Sequence, residues 1–148
     1  MEDLAQRLLV VEDDVTVARA LSRTLARRGF SVALARSCSA ARALAQRFDF
    51  AVLDLDLPDG NGVDLARALL DAEKVRSVLF FTGSREPALL GRARALGLVI
   101  MKSSGSAEVL VQLTQWVAES VEPPQSRTAP SDKTRAFAVA PAIKSQAR

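Results

Sequence analysis

The sequence predicts an α/β protein in which five β/α units form one doubly wound parallel sheet with the strand order 2-1-3-4-5. Short apolar runs alternate with segments of helical periodicity, and the connections between them are short. Right-handed crossovers between parallel strands would place helices on both faces of the sheet. One apolar run, residues 50–53, ends directly at an acidic residue, Asp54.

The first unit combines a strand at residues 8–11 with a helix at residues 15–28. The strand is wholly apolar, which is typical of a strand covered on both faces of a parallel sheet. The helix has an apolar face and a basic face, formed by Val17, Leu21 and Leu25 and by Arg19, Arg23 and Arg27, respectively. Gly29 follows and can take the backbone conformation that ends a helix.

The second unit is a weaker strand at residues 31–35, followed by a helix that Ser37 caps and that reaches about Arg47. The apolar positions of this helix are Ala41, Leu44 and Ala45. No internal repeat is visible in the sequence beyond the alternation of strands and helices.

The third unit starts with the buried strand at residues 50–53 and places Asp54 where this strand ends. Pro58 cannot continue a sheet, and residues 59–62 are of turn-forming types, so the chain leaves the sheet there. A helix at residues 63–73 follows. Taken alone, Asp54 is explained equally well by a turn, by capping of that helix, or by chemistry at the end of a central strand.

The last two units complete the predicted sheet. Residues 78–81 form the fourth strand, and a helix over residues 87–96 begins with a proline and is ended by Gly97. Residues 98–101 form the fifth strand, and Ser106 can cap a final helix. The apolar residues of that helix are Val109, Leu110, Leu113, Trp116 and Val117.

Composition divides the chain into a folded domain at residues 1–122 and a disordered tail at residues 123–148. The tail starts with two prolines and carries five basic residues and one acidic residue. The other 122 residues carry 15 basic and 16 acidic residues, so their net charge is −1. A DNA-binding surface on the folded domain is therefore not expected, although the pI is about 9.6.

Missing residue types exclude several classes of site. The chain has no histidine and a single cysteine, Cys38, which excludes a Cys/His zinc cluster, a histidine general base and an internal disulfide. The start is acidic and no apolar run approaches about 18 residues, which argues against a secretory signal and a membrane span. The protein is therefore expected to be cytoplasmic.

The carboxyl ends of parallel strands meet at one edge of a sheet, so polar residues that follow the strands should lie together. These residues are Glu12, Asp13 and Asp14 after the first strand, Asp54 after the third, Thr82 after the fourth and Lys102 after the fifth. Clustered carboxylates favour a hard cation such as Mg²⁺, and a hydroxyl with an ammonium group can hold phosphoryl oxygens. With Asp54 as the nucleophile, this set suits phosphoryl transfer to an aspartate.

From about residue 8 to residue 118, the sequence resembles the receiver domain of two-component response regulators, which has a flavodoxin-like fold. The matching motifs are Val10-Val11-Glu12-Asp13-Asp14, Asp54-x-x-Leu57-Pro58-x-x-x-Gly62, Phe81-Thr82-Gly83, and Lys102. Four motifs in this order, each at a strand end, are a specific signal, whereas each of them alone is weak.

The resemblance implies a role for each residue of the predicted edge. Asp54 would be the phosphoacceptor, and Thr82 and Lys102 would contact the phosphoryl oxygens. Mg²⁺ would be bound by Asp13, Asp54 and the backbone carbonyl of Asp56, with Glu12 acting through water. Asp14 is assigned instead to the amino terminus of the first helix, where a negative charge is favourable.

The sequence departs from the family pattern at two positions. Val99 stands where an aromatic residue commonly reports phosphorylation to the surface, so that aromatic switch is not expected here. Ser103 follows the lysine where proline is frequent, which puts the cis peptide often found there in doubt.

The resemblance also implies partners. A sensor histidine kinase or a phosphotransfer protein would supply the phosphoryl group. A downstream protein, or a second copy in a homodimer, would bind the face of the fourth helix, fifth strand and fifth helix, near Arg92, Arg94 and Trp116. The protein would act only on its own phosphorylation and dephosphorylation, and is not expected to be an enzyme.

Two alternatives remain open at this point. The chain could be the receiver portion of a DNA-binding transcriptional regulator, in which case nucleic acid enters only through an effector domain outside this sequence. Alternatively, Asp54-Leu55-Asp56 resembles the paired aspartates of magnesium-dependent haloacid-dehalogenase phosphatases. Against that reading, the pair lies beyond the first strand and Pro58 stands where that family has Thr or Val.

Overall fold

A computed structural model describes residues 5–120 of the chain. By their contacts, residues 1–114 and residues 115–148 form two separate units, and the second is described only where it continues the last helix. The predicted tail at residues 123–148 lies outside the described residues, so the division into domains stays a prediction. Within the described part of the chain, no helix is both long enough and apolar enough to cross a membrane.

Seven strands occur in the described residues. They are β1 (Arg7–Val11), β2 (Ser31–Ala35), β3 (Phe50–Leu53), β4 (Asp56–Leu57), β5 (Gly60–Asn61), β6 (Ser77–Thr82) and β7 (Leu98–Met101). Five of them form a parallel sheet in the order β2-β1-β3-β6-β7, which confirms the predicted topology. β3 is the central strand, with β1 on one side and β6 on the other. Residues 8–11 and 50–53 are all buried, which explains why both runs are apolar throughout.

The remaining two strands form a small antiparallel hairpin directly after β3. Asp56 pairs with Asn61 and Leu57 pairs with Gly60, so Pro58 and Asp59 make the turn between them. The sequence predicted that the chain leaves the sheet here but did not predict the hairpin, because two-residue strands have no periodicity to detect.

The helices are α1 (Val15–Arg27), α2 (Cys38–Ala43), α3 (Gly62–Asp71), α4 (Pro87–Leu96) and α5 (Ser106–Ser120), with a 3₁₀-helix at Lys102–Ser104. α1 ends as predicted at Gly29, which has a φ of 95°. The amides of Gly29 and Phe30 donate to the carbonyls of Ala26 and Leu25, respectively, which is the hydrogen-bond pattern of a glycine-terminated helix.

α2 is shorter than predicted: it ends at Ala43, whereas the sequence predicted an end near Arg47. Leu44 already has an extended backbone, and the ammonium group of Lys74 donates to its carbonyl oxygen. This contact spans 30 residues of sequence. Leu44 still packs against the core, but the predicted core residue Ala45 is exposed.

Two predicted helix boundaries have a different cause from the one expected. Gly97 ends α4 with an extended backbone, and its missing side chain matters because a Cβ there would overlap the carbonyl oxygen of Val78. β7 can therefore lie directly beside β6. Ser106 was predicted to cap α5 but is its first residue. The residue before it is Gly105, which has a φ of 88°.

Candidate functional site

Two carboxylates lie in one buried corner at the carboxyl edge of the sheet. Glu12 follows β1 and its amide donates to the carbonyl of Ala35 at 3.0 Å, while the amide of Asp54 donates to the carbonyl of Val11 at 3.0 Å. The Glu12 and Asp54 side chains are only 3% and 6% exposed. Backbone pairing between neighbouring strands thus fixes both acids where the sequence predicted them.

Lys102 enters this corner from the end of β7. Its Nζ lies 2.9 Å from Oδ2 of Asp54 and 2.8 Å from Oε1 of Glu12, and its side chain is 25% exposed. Proximity of Lys102 to Asp54 was predicted from the sequence. The direct contact with Glu12 was not predicted, because the sequence assigned Glu12 to the metal ion and Lys102 to the phosphoryl group.

Burial and ion pairing shift the pKa values of Glu12 and Lys102 in opposite directions. Burial raises the pKa of Glu12, and its bonds from Lys102 and the Asp14 amide only partly oppose this effect. For Lys102, burial lowers the pKa, but bonds to Glu12 and Asp54 outweigh it, so the pKa lies above its ordinary value. Because one ammonium lies between two carboxylates, Lys102 stays charged at neutral pH.

The acids that follow Glu12 divide into two roles. An oxygen of exposed Asp13 lies within 4.8 Å of oxygens of Glu12 and Asp54, which makes these three side chains a group able to hold a metal ion. Asp14 instead caps α1, since its Oδ1 accepts from the amides of Thr16 at 2.9 Å and Val17 at 3.2 Å. The assignment of Asp14 to the helix is therefore confirmed.

Both carboxylate oxygens of Glu12 already have partners. Oε1 contacts the Lys102 ammonium group, and Oε2 accepts from the Asp14 amide at 3.0 Å. Direct coordination of an ion by Glu12 would compete with these bonds. An outer position, with water between the carboxylate and the ion, agrees with this arrangement.

Gly62 shapes the chain around the Asp54 backbone. A Cβ at position 62 would overlap the carbonyl oxygen of Asp54, and the Gly62 amide donates to the Leu55 carbonyl at 2.9 Å. The start of α3 can therefore lie against the end of β3 only without a side chain. Between them, the Asp56 amide lies 3.4 Å from Oδ1 of Asp54, and the Asp56 side chain is exposed.

Thr82 ends β6 with a fully buried side chain, and its Oγ1 accepts from the Ser84 amide at 3.1 Å. Its hydroxyl proton is not used by that bond and remains available to an acceptor. Among the hydrogen bonds of residues 5–120, none joins Thr82 directly to Asp54 or Lys102. Gly83 beside it is exposed, with open space where a Cβ would stand.

The sequence profile of the family described as "Response regulator receiver domain" matches residues 8–114. The chain belongs to this family. It is 33% identical over 123 residues to the acid tolerance regulatory protein ActR of Rhizobium meliloti (strain 1021), a match that covers 80% of this chain and 63% of ActR. It is also 28% identical to the photosynthetic apparatus regulatory protein RegA of Rhodobacter capsulatus, covering 86% and 71% of the two chains.

Solved receiver domains have the same fold as this chain. The non-phosphorylated HemR receiver domain from Leptospira biflexa is 35% identical with a TM-score of 0.69, over 80% of this chain and 98% of that one. The BeF3-activated DrrB receiver domain has a TM-score of 0.70 at 18% identity, over 78% and 99%, and bears on the fold alone. The chain is thus a response regulator receiver domain with a flavodoxin-like fold, and it spans about 63% of the length of ActR.

Within this receiver domain, the two departures from the family pattern have simple structural counterparts. Val99 lies half-buried on β7 and packs against the core. No cis peptide bond occurs in residues 5–120, including the bond that precedes Ser103. Of the residues expected on the output face, Arg92 pairs with Asp64 of α3 at 2.7 Å, Arg94 is exposed and Trp116 is half-buried.

Sequence reasoning missed the role of Asp59 in this receiver domain. Its two carboxylate oxygens accept from the amides of Cys38 at 2.8 Å and Ser39 at 2.9 Å, which joins the hairpin to the start of α2. These amide bonds lower the pKa of Asp59 to about 2. An aspartate beside a proline is a turn signal in its own right, so nothing in the sequence indicated a second function.

Proposed function

We propose that this receiver domain accepts a phosphoryl group on Asp54, from a histidine kinase or a phosphotransfer protein, in a reaction that requires Mg²⁺. The observation that carries the proposal is the Lys102 ammonium group 2.9 Å from Asp54 inside a buried acidic corner. A buried carboxylate beside a fixed cation and a metal-binding set of oxygens suits nucleophilic attack on phosphorus.

The two oxygens of Asp54 differ in their surroundings. Oδ2 is held by Lys102, whereas Oδ1 has only the long contact of 3.4 Å from the Asp56 amide. Oδ1 is therefore the freer oxygen and the proposed nucleophile. A bond from Oδ1 to phosphorus forms as the bond from phosphorus to the histidine nitrogen of the donor breaks. Lys102 and the Thr82 hydroxyl then donate to phosphoryl oxygens.

The oxygens of the corner fit Mg²⁺ by their chemistry. Mg²⁺ prefers hard oxygen ligands and keeps several waters, and exposed Asp13 with Asp54 offers two such carboxylates beside solvent. The Asp56 backbone carbonyl is the proposed third protein ligand, and Glu12 acts through water because both its oxygens are engaged. When bound, the ion offsets the negative charge that gathers on the transferred group.

Lys102 also offers a route for the signal. It directly follows β7, so a change of its partner from Asp54 to a phosphoryl oxygen acts on the end of that strand. Thr82, next to β7 on β6, would respond to the same group. With Val99 in place of an aromatic residue, we propose that these two residues transmit the change to the face of α4, β7 and α5. A downstream protein or a second copy would bind there.

Small-molecule phosphodonors test this proposal directly. Wild-type protein with acetyl phosphate and Mg²⁺ should gain the mass of one phosphoryl group, and chelation of the metal should prevent the gain. Asp54→Asn should gain none, whereas Asp71→Asn, which changes an exposed acid at the end of α3, should behave like wild type. A phosphoryl group on Asp54→Asn would refute the assignment.

Regulation of DNA binding is a second candidate function. The DNA-binding response regulator MtrA of Mycobacterium tuberculosis (strain CDC 1551 / Oshkosh) is 40% identical over 73 residues, which is 47% of this chain. Because DNA contact would come from an effector domain outside this sequence, the test is selection of bound duplexes from random DNA by the complete gene product, once phosphorylated and once as Asp54→Asn. Enrichment of one sequence by the phosphorylated form alone would support it, and equal recovery by both forms would exclude it.

A further inference from the structure

A groove of about 340 Å³ lies at the amino edge of the sheet, opposite the Asp54 corner. Its lining consists of Arg7, Arg47, Phe48, Asp49, Glu73 and Arg76. These residues lie at or just before the starts of β1, β3 and β6, or follow α2 and α3. The volume falls within the range of small-molecule sites. Neither the family match nor the proposed function uses this groove.

Two arginines of the groove are held in place by neighbouring groups. Nη2 of Arg76 lies 3.2 Å from Oδ1 of Asp49, and its guanidinium lies 5.3 Å from the ring centre of Phe50. The Arg7 guanidinium lies 5.8 Å from the ring centre of Phe48. Oδ2 of Asp49 accepts from the Arg7 backbone amide at 2.8 Å, so this carboxylate is fully engaged within the protein.

The remaining charges of the groove do not cancel. Within residues 5–120, no carboxylate lies within 4 Å of the guanidinium groups of Arg7 or Arg47, and no cation within 4 Å of the Glu73 carboxylate. Among the described residues, the guanidinium groups of Arg7 and Arg47 therefore have no carboxylate partner. Guanidinium forks match phosphate oxygens in shape, and a phosphomonoester carries a charge between −1.5 and −2 near neutral pH, as phosphorylated side chains do.

Glu73 adds an acceptor to the same groove. It has a φ of 58°, a conformation that favours glycine, yet the residue that occupies it carries a carboxylate. A carboxylate that lacks a cationic partner accepts hydrogen bonds from hydroxyl groups. We propose that the groove binds a small phosphomonoester with free hydroxyl groups, its phosphate at Arg7 and Arg47 and its hydroxyls near Glu73.

Titration calorimetry with ribose 5-phosphate tests the proposal, with adenosine monophosphate, inorganic phosphate and ribose as separate arms. The Asp54→Asn protein in a metal chelator is used, so that binding at the acidic corner does not contribute. Ribose 5-phosphate or adenosine monophosphate should bind at least about tenfold more tightly than phosphate or ribose alone. Comparison of adenosine monophosphate with ribose 5-phosphate shows whether the groove prefers a nucleotide or a sugar phosphate. Affinity for neither ester, or no advantage over phosphate, would overturn the proposal.

The arginine contribution is tested by a matched pair of substitutions. Arg47→Ala should weaken ester binding about tenfold or more, because a charge-assisted hydrogen bond is lost. Arg19→Ala removes the same charge from an exposed position on α1, outside the groove, and should leave affinity within about twofold. Equal weakening by both would indicate general electrostatic attraction and would also overturn the proposal. Because the assay contains no phosphodonor, its outcome is independent of phosphorylation at Asp54.

Discussion

β3 runs between two aspartates, Asp49 at its amino end and Asp54 at its carboxyl end, and each of them pairs with a cation. Asp54 lies 2.9 Å from Lys102 with the two side chains 6% and 25% exposed. Asp49 lies 3.2 Å from Arg76 with the side chains 32% and 55% exposed. The charges are alike, but one pair is enclosed by the protein and the other faces water.

This difference decides what each pair contributes. An exposed pair typically contributes up to about 1 kcal/mol, because water screens the charges and both side chains lose freedom. Within a buried pair, loss of one partner leaves the other uncompensated at a cost of about 3–5 kcal/mol. The stability of the carboxyl edge therefore depends on its ion pair, whereas the ion pair at the amino edge adds little to the stability that the sheet provides.

Lys102→Met should therefore produce the largest loss of stability. The substitution keeps a long side chain but leaves Glu12 and Asp54 buried together without their shared cation, so the free energy of unfolding should fall by about 3 kcal/mol. Arg76→Met, the matched change at the other end of β3, should cost at most about 1 kcal/mol. Urea unfolding at neutral pH measures both, and equal losses would contradict the contrast.

Alanine substitutions of two glycines test how tightly the chain is packed at the carboxyl edge. Gly62→Ala should destabilise the protein by about 2–3 kcal/mol, because its Cβ would overlap the Asp54 carbonyl oxygen and force the chain at the carboxyl edge to move. Gly91→Ala, on α4 with open space at that position, should stabilise it by about 0.5–1 kcal/mol. Thermal unfolding of the two variants compares them, and a similar midpoint for both would refute the steric explanation.

At the amino edge, a substitution by glycine should increase the free energy of unfolding and not decrease it. Glu73→Gly should raise the free energy of unfolding by about 1 kcal/mol, because glycine adopts the positive φ of this position without steric cost. Glu73→Ala retains a Cβ and serves as the control, with little or no gain expected. If both variants gained equally, removal of the carboxylate and not backbone strain would be responsible.

The smallest effect is expected from Asp59, on the exposed turn of the hairpin. Its folded pKa of about 2 lies below the ordinary value of 3.8, so its amide bonds stabilise the fold above pH 3.8 and lose this effect as the pH falls toward 2. Asp59→Ala should therefore be less stable than wild type at pH 6, by a margin that narrows at pH 3. Asp71→Ala is the control, and a margin that is independent of pH would count against the proposed bonds.

Most of the fold was predictable because its signals are local. The bounds of β2, α4 and β7 agree with the sequence prediction, since apolar runs, a proline and glycines mark them directly. The parallel topology then placed Asp54 and Lys102 at one edge. The early end of α2 was not predicted, and the Lys74 contact with the Leu44 carbonyl, across 30 residues of sequence, has no local signal.

The sequence predicted which residues form the candidate site, but it did not predict all the contacts between them. Strand ends indicated Glu12, Asp54 and Lys102, but the sequence associated Glu12 with the metal alone, while the structure shows it bonded to Lys102. Side-chain pairing across two intervening strands depends on rotamers and reach, and neither has a sequence pattern. The Asp59 bonds were missed for a related reason, since they join the hairpin to the start of α2, 20 and 21 residues earlier in the chain.

The strand order of the main sheet has a consequence for synthesis of the chain. Every pairing in that sheet joins strands that are consecutive or next but one along its five strands. Glu12 and Asp54 follow β1 and β3 and are made before Lys102, which follows β7, the last strand of the sheet. Because domains generally fold as units, we expect the two carboxylates to become buried only after their counterion has been made.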